Sequence, residues 1–195
     1  WAAQTQYTAY NKERPRIRQD KTYMTQVVSL QPRTDLRRKI PATIKTFDSA
    51  IEFLNSVTNY EKMTRVGYNT TTFNLNRMNR LLSAVGNPHK KLRTVHIAGT
   101  KGKGSTAAML AAMLSNSGLK VGLYTSPHLV DLRERIQING EMVPENDMTR
   151  LIAKIAPLVR KTSKDQPTFF EIMTALCFMY FAEQAVDIAI IEAGL

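Results

Sequence analysis

Cysteine is almost missing from this 195-residue sequence, with Cys177 the single example. A disulfide framework within the chain is therefore excluded, and Cys177, inside "IMTALCFMYFA" (172–182), is expected to be a small buried hydrophobe. That stretch is also the longest apolar run. It falls well short of the roughly 20 residues a bilayer span requires, so a soluble, cytoplasmic monomer with no membrane partner is expected. Histidine is scarce, and His89 and His96 stand at no metal-ligand spacing. No Ser-His-Asp arrangement is evident either. Acidic residues are in deficit, 16 against 27 Lys and Arg, for a net charge of +11.

That deficit is uneven. Residues 1–45 carry ten Lys/Arg and three Asp/Glu, a net +7, and the rest carry 17 and 13, a net +4. Residues 1–45 have charges and prolines but little apolar periodicity, so they read as a poorly ordered basic tail without the apolar core of a signal peptide. Such a tail could touch nucleic acid or anionic lipid; a solvated extension is the plainer reading. The sequence opens on Trp1 and stops at "EAGL" just after an apolar run, which reads as a fragment of a longer chain.

What is present is an ordinary globular fraction of apolar residues, 43%. "FDSAIEFLNSV" places Phe47, Ala50, Ile51 and Leu54 at helical spacing, and "FNLNRMNRLLSAVGNP" does the same for Leu75, Met78, Leu81, Leu82 and Val85. A helix pair therefore precedes the first strand, "TVHIA" (94–98). "STAAMLAAMLSNSG" follows as a helix with Gly118 suited to its C-terminal cap. "KVGLYTS" (120–126) is a second strand, and "ERIQINGEMV" turns about Asn139-Gly140 as a hairpin. An amphipathic helix with a kink expected at Pro157, a largely buried helix from "FFEIM", and the apolar strand "VDIAIIEAGL" complete the series. The order is that of an α/β protein: a P-loop-type, mostly parallel sheet covered by helices on both faces.

The segment "VHIAGTKGKGSTAAML" (95–110) carries the chemistry. A strand runs into a glycine-rich turn and then a helix, an arrangement that aims backbone N–H groups and a positive dipole end at one anion. Gly99, Gly102 and Gly104 permit close approach and positive φ, Ser105 opens the helix, and Lys103 is placed to reach terminal phosphates. The usual P-loop is longer and has Ser or Thr after its lysine; here Gly104 stands in that position, so the usual magnesium hydroxyl is missing. Two oxygen donors at the carboxyl ends of predicted strands could replace it, Ser126 in "LYTSPHL" and Glu192 in "IAIIEAGL". Taken alone, Ser126 reads more readily as a turn residue before Pro127, and Glu192 reads equally as a solvent-facing strand end.

"HIAGTKGKGST", "GLYTSPHLVDLRERIQINGE", "PTFFE" and "VDIAIIEAGL", in this order and spacing, resemble the folylpolyglutamate synthase and dihydrofolate synthase family of the Mur-ligase superfamily. The resemblance covers about residues 47–195 and implies that 46–195 are the N-terminal part of an ATP-binding domain whose C-terminal partner domain is absent. It implies that Thr100, Lys101, Gly102 and Lys103 lie in the ATP loop and that Ser126 and Glu192 hold Mg²⁺, with Lys103 and Glu192 in the catalytic roles. It further implies that Thr168, Phe169, Phe170 and Glu171 contact a pteroate or folate. Lys101 departs from the family, which normally has Asn there. The reaction implied is ATP-dependent joining of L-glutamate to a pteroate or folate through an acyl phosphate, with the fragment alone inactive. His128, near the end of the second strand, is read as packing or supporting. Two alternatives stay open: another Mur-type amino-acid ligase, and a P-loop protein that contacts nucleic acid through its basic tail.

Overall fold

The computed structural model describes residues 43–62, 75–162 and 165–194. The basic tail up to residue 42 and the connection 63–74, with Phe73 and Asn74 of the second helical segment, lie outside the described residues. Those described belong to one compact unit, Lys39–Leu195.

Helix α1 (Phe47–Ser56) starts where Thr46 and Ser49 cap each other: the Thr46 hydroxyl accepts from the Ser49 N–H at 3.2 Å, and the Ser49 hydroxyl accepts from the Thr46 N–H at 3.1 Å. Packing reaches back to Ile44, which is buried in the core. Helix α2 (Leu75–Ala84) buries Arg77, Leu81 and Leu82, whereas Leu75, expected on its apolar face, is exposed.

Strand β1 (Thr94–Ile97) leads through the glycine turn into helix α3 (Lys103–Asn116), and β2 (Val121–Tyr124) follows. Helix α3 ends as expected at Gly118: its N–H and that of Leu119 donate to the carbonyls of Ser115 and Leu114. The hairpin of β3 (Ile136–Ile138) and β4 (Glu141–Met142) turns on Asn139 and Gly140, both at positive φ. Helix α4 (Glu145–Lys161) runs as one helix across Pro157, helix α5 (Phe169–Glu183) is buried on most of its circumference, and β5 (Ile188–Glu192) is the last strand among the described residues.

The sheet order is β1-β5-β2-β3-β4, with β1, β5 and β2 parallel and the hairpin antiparallel beside them. Alternation decides which face each residue serves. Val121, Leu123 and Ile190 join Ala107 of α3 in a small core on one face. Tyr124, Ala189 and Ile191 face the larger core built with α1, α2, α4 and α5. The sheet is thus covered on both sides, which explains why β2 and β5 are apolar nearly throughout.

Gly122 in β2 is where α5 comes nearest to the sheet. A Cβ there would meet the ring of the fully buried Phe181 at 2.9 Å. Gly122→Val is expected to destabilise the chain by about 2–3 kcal/mol through overpacking. Urea unfolding checks it, as a lower midpoint with an unchanged slope.

Candidate functional site

The carboxyl ends of the three parallel strands finish together. In register, Ile97 pairs with Glu192 and Tyr124 with Ile191, so the turn after β1, the loop after β2 and the last residue of β5 share one edge of the sheet. The Ala193 N–H donates to the Ile97 carbonyl at 2.9 Å, closing β5 onto the start of the turn.

The turn enters α3 two residues earlier than the helix formers of the sequence suggest. Gly102, at φ 75°, is the N-cap, a left-handed position that suits glycine, and Lys103 and Gly104 lie in the first helical turn. The Gly102 carbonyl is held by the Thr106 N–H at 3.0 Å and its hydroxyl at 2.9 Å. No side chain caps this end. The first N–H groups of a helix have no partners within it, so this end can receive an anion. Gly99, Thr100, Lys101 and Ser105 are exposed around it.

Lys103 is buried, and its ammonium donates to the Gly99 carbonyl at 3.1 Å. Gly104 faces the carboxylate of Glu192. A Cβ on it would stand 3.6 Å from Glu192 Oε2 and 3.8 Å from Oε1. The missing hydroxyl after the loop lysine and the carboxylate of β5 therefore concern one point in space. Glu192 is buried, with 6% of its surface exposed, and its Oε2 accepts the Ser126 N–H at 3.0 Å. Strand, turn and loop thus bring Lys103, Gly104, Ser126 and Glu192 into one cluster.

A carboxylate and a hydroxyl are hard oxygen donors of the kind Mg²⁺ prefers, and a buried carboxylate is costly without a cation or donors around it. Among the described residues, no group of three or more His, Cys, Asp and Glu could hold a metal ion. A Ser126–Glu192 pair fits a metal that completes its shell from water and phosphate.

The four residues of "TFFE" divide. Thr168 and Glu171 cap α5 reciprocally: the Thr168 N–H donates to Glu171 Oε2 at 2.7 Å, and the Glu171 N–H to the Thr168 hydroxyl at 3.3 Å. Glu171 also accepts from Arg77 Nε at 3.2 Å. Phe169 is buried, its N–H donating to the Thr58 carbonyl at 2.8 Å. Phe170 alone lies at the strand-end edge. Its ring packs beside Tyr124, 6.3 Å between centroids, and a Cβ on Gly194, two residues past Glu192, would meet its Cε2 at 2.8 Å.

Sequence reasoning missed Arg77, Glu61 and Arg135. Arg135 is buried to 1% exposure and forks onto Glu61 at 2.7 and 3.0 Å, while Arg77 bridges Asp165 and Glu171 at 3.2 Å. The available signal was only "LRER", in which alternating charges look like a solvated face.

No family model matches the chain. The dihydrofolate synthase/folylpolyglutamate synthase of Bacillus subtilis is 46% identical over 125 residues, covering 62% of this chain and 29% of that protein. The crystal structure of a folylpolyglutamate synthase from Thermotoga maritima matches with a TM-score of 0.66 at 39% identity, over 76% of this chain and 33% of that one. An FPGS–AMPPCP–folate complex matches with a TM-score of 0.66 at 34% identity, over 77% of this chain and 36% of that one. The chain thus spans about a third of the length of the relatives it matches. Over the region that aligns, the chain is similar in sequence and fold to enzymes of the folylpolyglutamate synthase/dihydrofolate synthase family.

Proposed function

We propose that this chain is the ATP- and Mg²⁺-binding part of a ligase that joins L-glutamate to a pteroate or folate. The observation that carries the reading is the meeting of Lys103, Gly104, Ser126 and Glu192 at one sheet edge, with the Ser126 N–H on the Glu192 carboxylate at 3.0 Å. Relatives described as folylpolyglutamate synthases, one in complex with AMPPCP and folate, support the same assignment.

In this reading the Gly99–Ser105 turn and the first N–H groups of α3 receive the β- and γ-phosphates, and Lys103 leaves the Gly99 carbonyl to contact them. Ser126 and Glu192 would hold magnesium, which when bound would supply charge neutralisation near the phosphates. A carboxylate oxygen of the pteroate or folate forms a bond to the γ-phosphorus as the bond to the β–γ bridging oxygen breaks, giving an acyl phosphate and ADP. The glutamate amine then attacks the acyl carbon, loses its proton, and phosphate departs. The protein supplies position and electrostatics throughout. Phe170, beside the strand ends, offers the face against which a flat ring can rest.

The 195-residue chain alone is expected to bind Mg²⁺–ATP without ligating. Substituting residues 46–195 for the matching part of the Bacillus subtilis relative tests the rest. Phosphate release from ATP that requires both glutamate and dihydropteroate or folate is the expected result. Release indifferent to both, together with no ATP binding by the chain itself, would refute the assignment.

A further inference from the structure

Ser126 is gripped from both sides by one residue. The Thr125 N–H, just before it, donates to the Arg135 carbonyl at 3.1 Å. Two residues beyond it, His128 Nδ1 accepts from Arg135 Nε at 2.9 Å. A guanidinium only donates, so this bond fixes His128 Nδ1 as the acceptor and sets the ring's orientation.

Arg135 is itself over-determined. Its Nη1 and Nη2 fork onto the Glu61 carboxylate at 3.0 and 2.7 Å, and its Cζ lies 5.2 Å from the centre of the Phe169 ring. A bidentate ion pair under an aromatic face, at 1% exposure, leaves the guanidinium a single orientation. The neighbouring Glu134 ties down the remainder of the loop, its carboxylate accepting the N–H groups of Leu129, Val130 and Asp131 at 2.8, 3.1 and 2.8 Å.

We propose that Arg135 is a positioning residue for the metal site. It clamps the Thr125–His128 loop so that Ser126 stands against Glu192, and it anchors that loop to Glu61 and Phe169. This rests on the reading of Ser126 and Glu192 as the magnesium cradle. A purely structural Arg–Glu pair would stabilise the fold and leave metal affinity alone. A positioning pair changes metal affinity in a protein that remains folded, as supporting groups around metal sites do by roughly 10- to 100-fold.

The test titrates Mg²⁺ against ATP binding to the 195-residue chain, comparing wild type with Arg135→Lys, His128→Ala and His128→Asn. Lysine keeps the charge and loses the fork. Asparagine presents an acceptor near the position of Nδ1, and alanine presents none. The half-saturating Mg²⁺ is expected to rise about tenfold in Arg135→Lys and His128→Ala and to stay within about twofold in His128→Asn. ATP binding without Mg²⁺ is expected to stay within about twofold in all three. In the metal-free chain, the Ser126 amide resonance is expected to shift in Arg135→Lys and His128→Ala only.

Wild-type titrations in a folded Arg135→Lys and in His128→Ala overturn the proposal, and so does equal loss in His128→Ala and His128→Asn. Should Arg135→Lys fail to fold, the His128 pair decides alone. Absence of Mg²⁺-dependent ATP binding in the wild type would instead overturn the functional reading, and this inference with it.

Discussion

Lys103→Ala and Lys103→Met are expected to weaken ATP binding by the chain about 10- to 150-fold, the worth of a hydrogen bond between charged groups. Thermal stability should stay the same or rise. Lys103 is the first residue of α3, and a cation at a helix N-terminus opposes the dipole by about 0.3–1 kcal/mol. It is also buried, with its ammonium on the Gly99 carbonyl, so part of its hydration has been lost. Alanine favours helix, and methionine keeps the volume of the stem. A side chain that costs stability where it stands, yet points back over an anion-receptive turn, has its compensation in a ligand. Isothermal titration with ATP and a melting curve on the same samples check both halves. Wild-type affinity in a folded Lys103→Met variant would remove Lys103 from the site. A fall in affinity matched by a fall in melting temperature would make its role structural.

How far the sequence shows this site depends on the distance over which each signal acts. Local signals read well. The Gly102 turn, the glycine after α3, the Asn139-Gly140 hairpin and the apolar run of β5 each follow from residues a few positions apart. Even there the helix start was misplaced. The cap of α3 is a backbone conformation at Gly102 with no side-chain cap, so the helix formers beginning at Ser105 concealed its first turn. Non-local pairing was not legible. Arg135 finds Glu61 across 74 positions, and Arg77 finds Glu171 across 94. Charged residues destined for burial carry no pattern that separates them from surface charge. Gly104 shows the same limit, since its closeness to Glu192 depends on β5 lying between β1 and β2. Residues 1–42 of the basic tail (1–45), and with them the nucleic-acid alternative, lie outside the described residues, while Ile44 at its end is buried in the core.

Glu192→Gln separates the cost of a group from its use in the opposite sense of charge. The amide has the shape of the carboxylate and can still accept the Ser126 N–H through its oxygen, so the loop after β2 should stay in place. The charge is lost, and with it the desolvation cost of a carboxylate at 6% exposure. Without ligands the variant is therefore expected to melt at or above the wild-type temperature. With ATP present, the half-saturating Mg²⁺ should rise by at least roughly tenfold, since an outer-shell change alone can do as much. A ligand stabilises a protein in proportion to RT ln(1 + [L]/Kd), so adding Mg²⁺ and ATP should raise the wild-type melting temperature more than that of the variant. The two melting curves then exchange order between the free and the loaded state. A carboxylate serving only the fold would give the reverse in the free chain, a variant that melts earlier. One serving neither fold nor metal would leave both titration and order unchanged. Only a buried anion held ready for a cation gives lower stability when empty and the greater gain when filled.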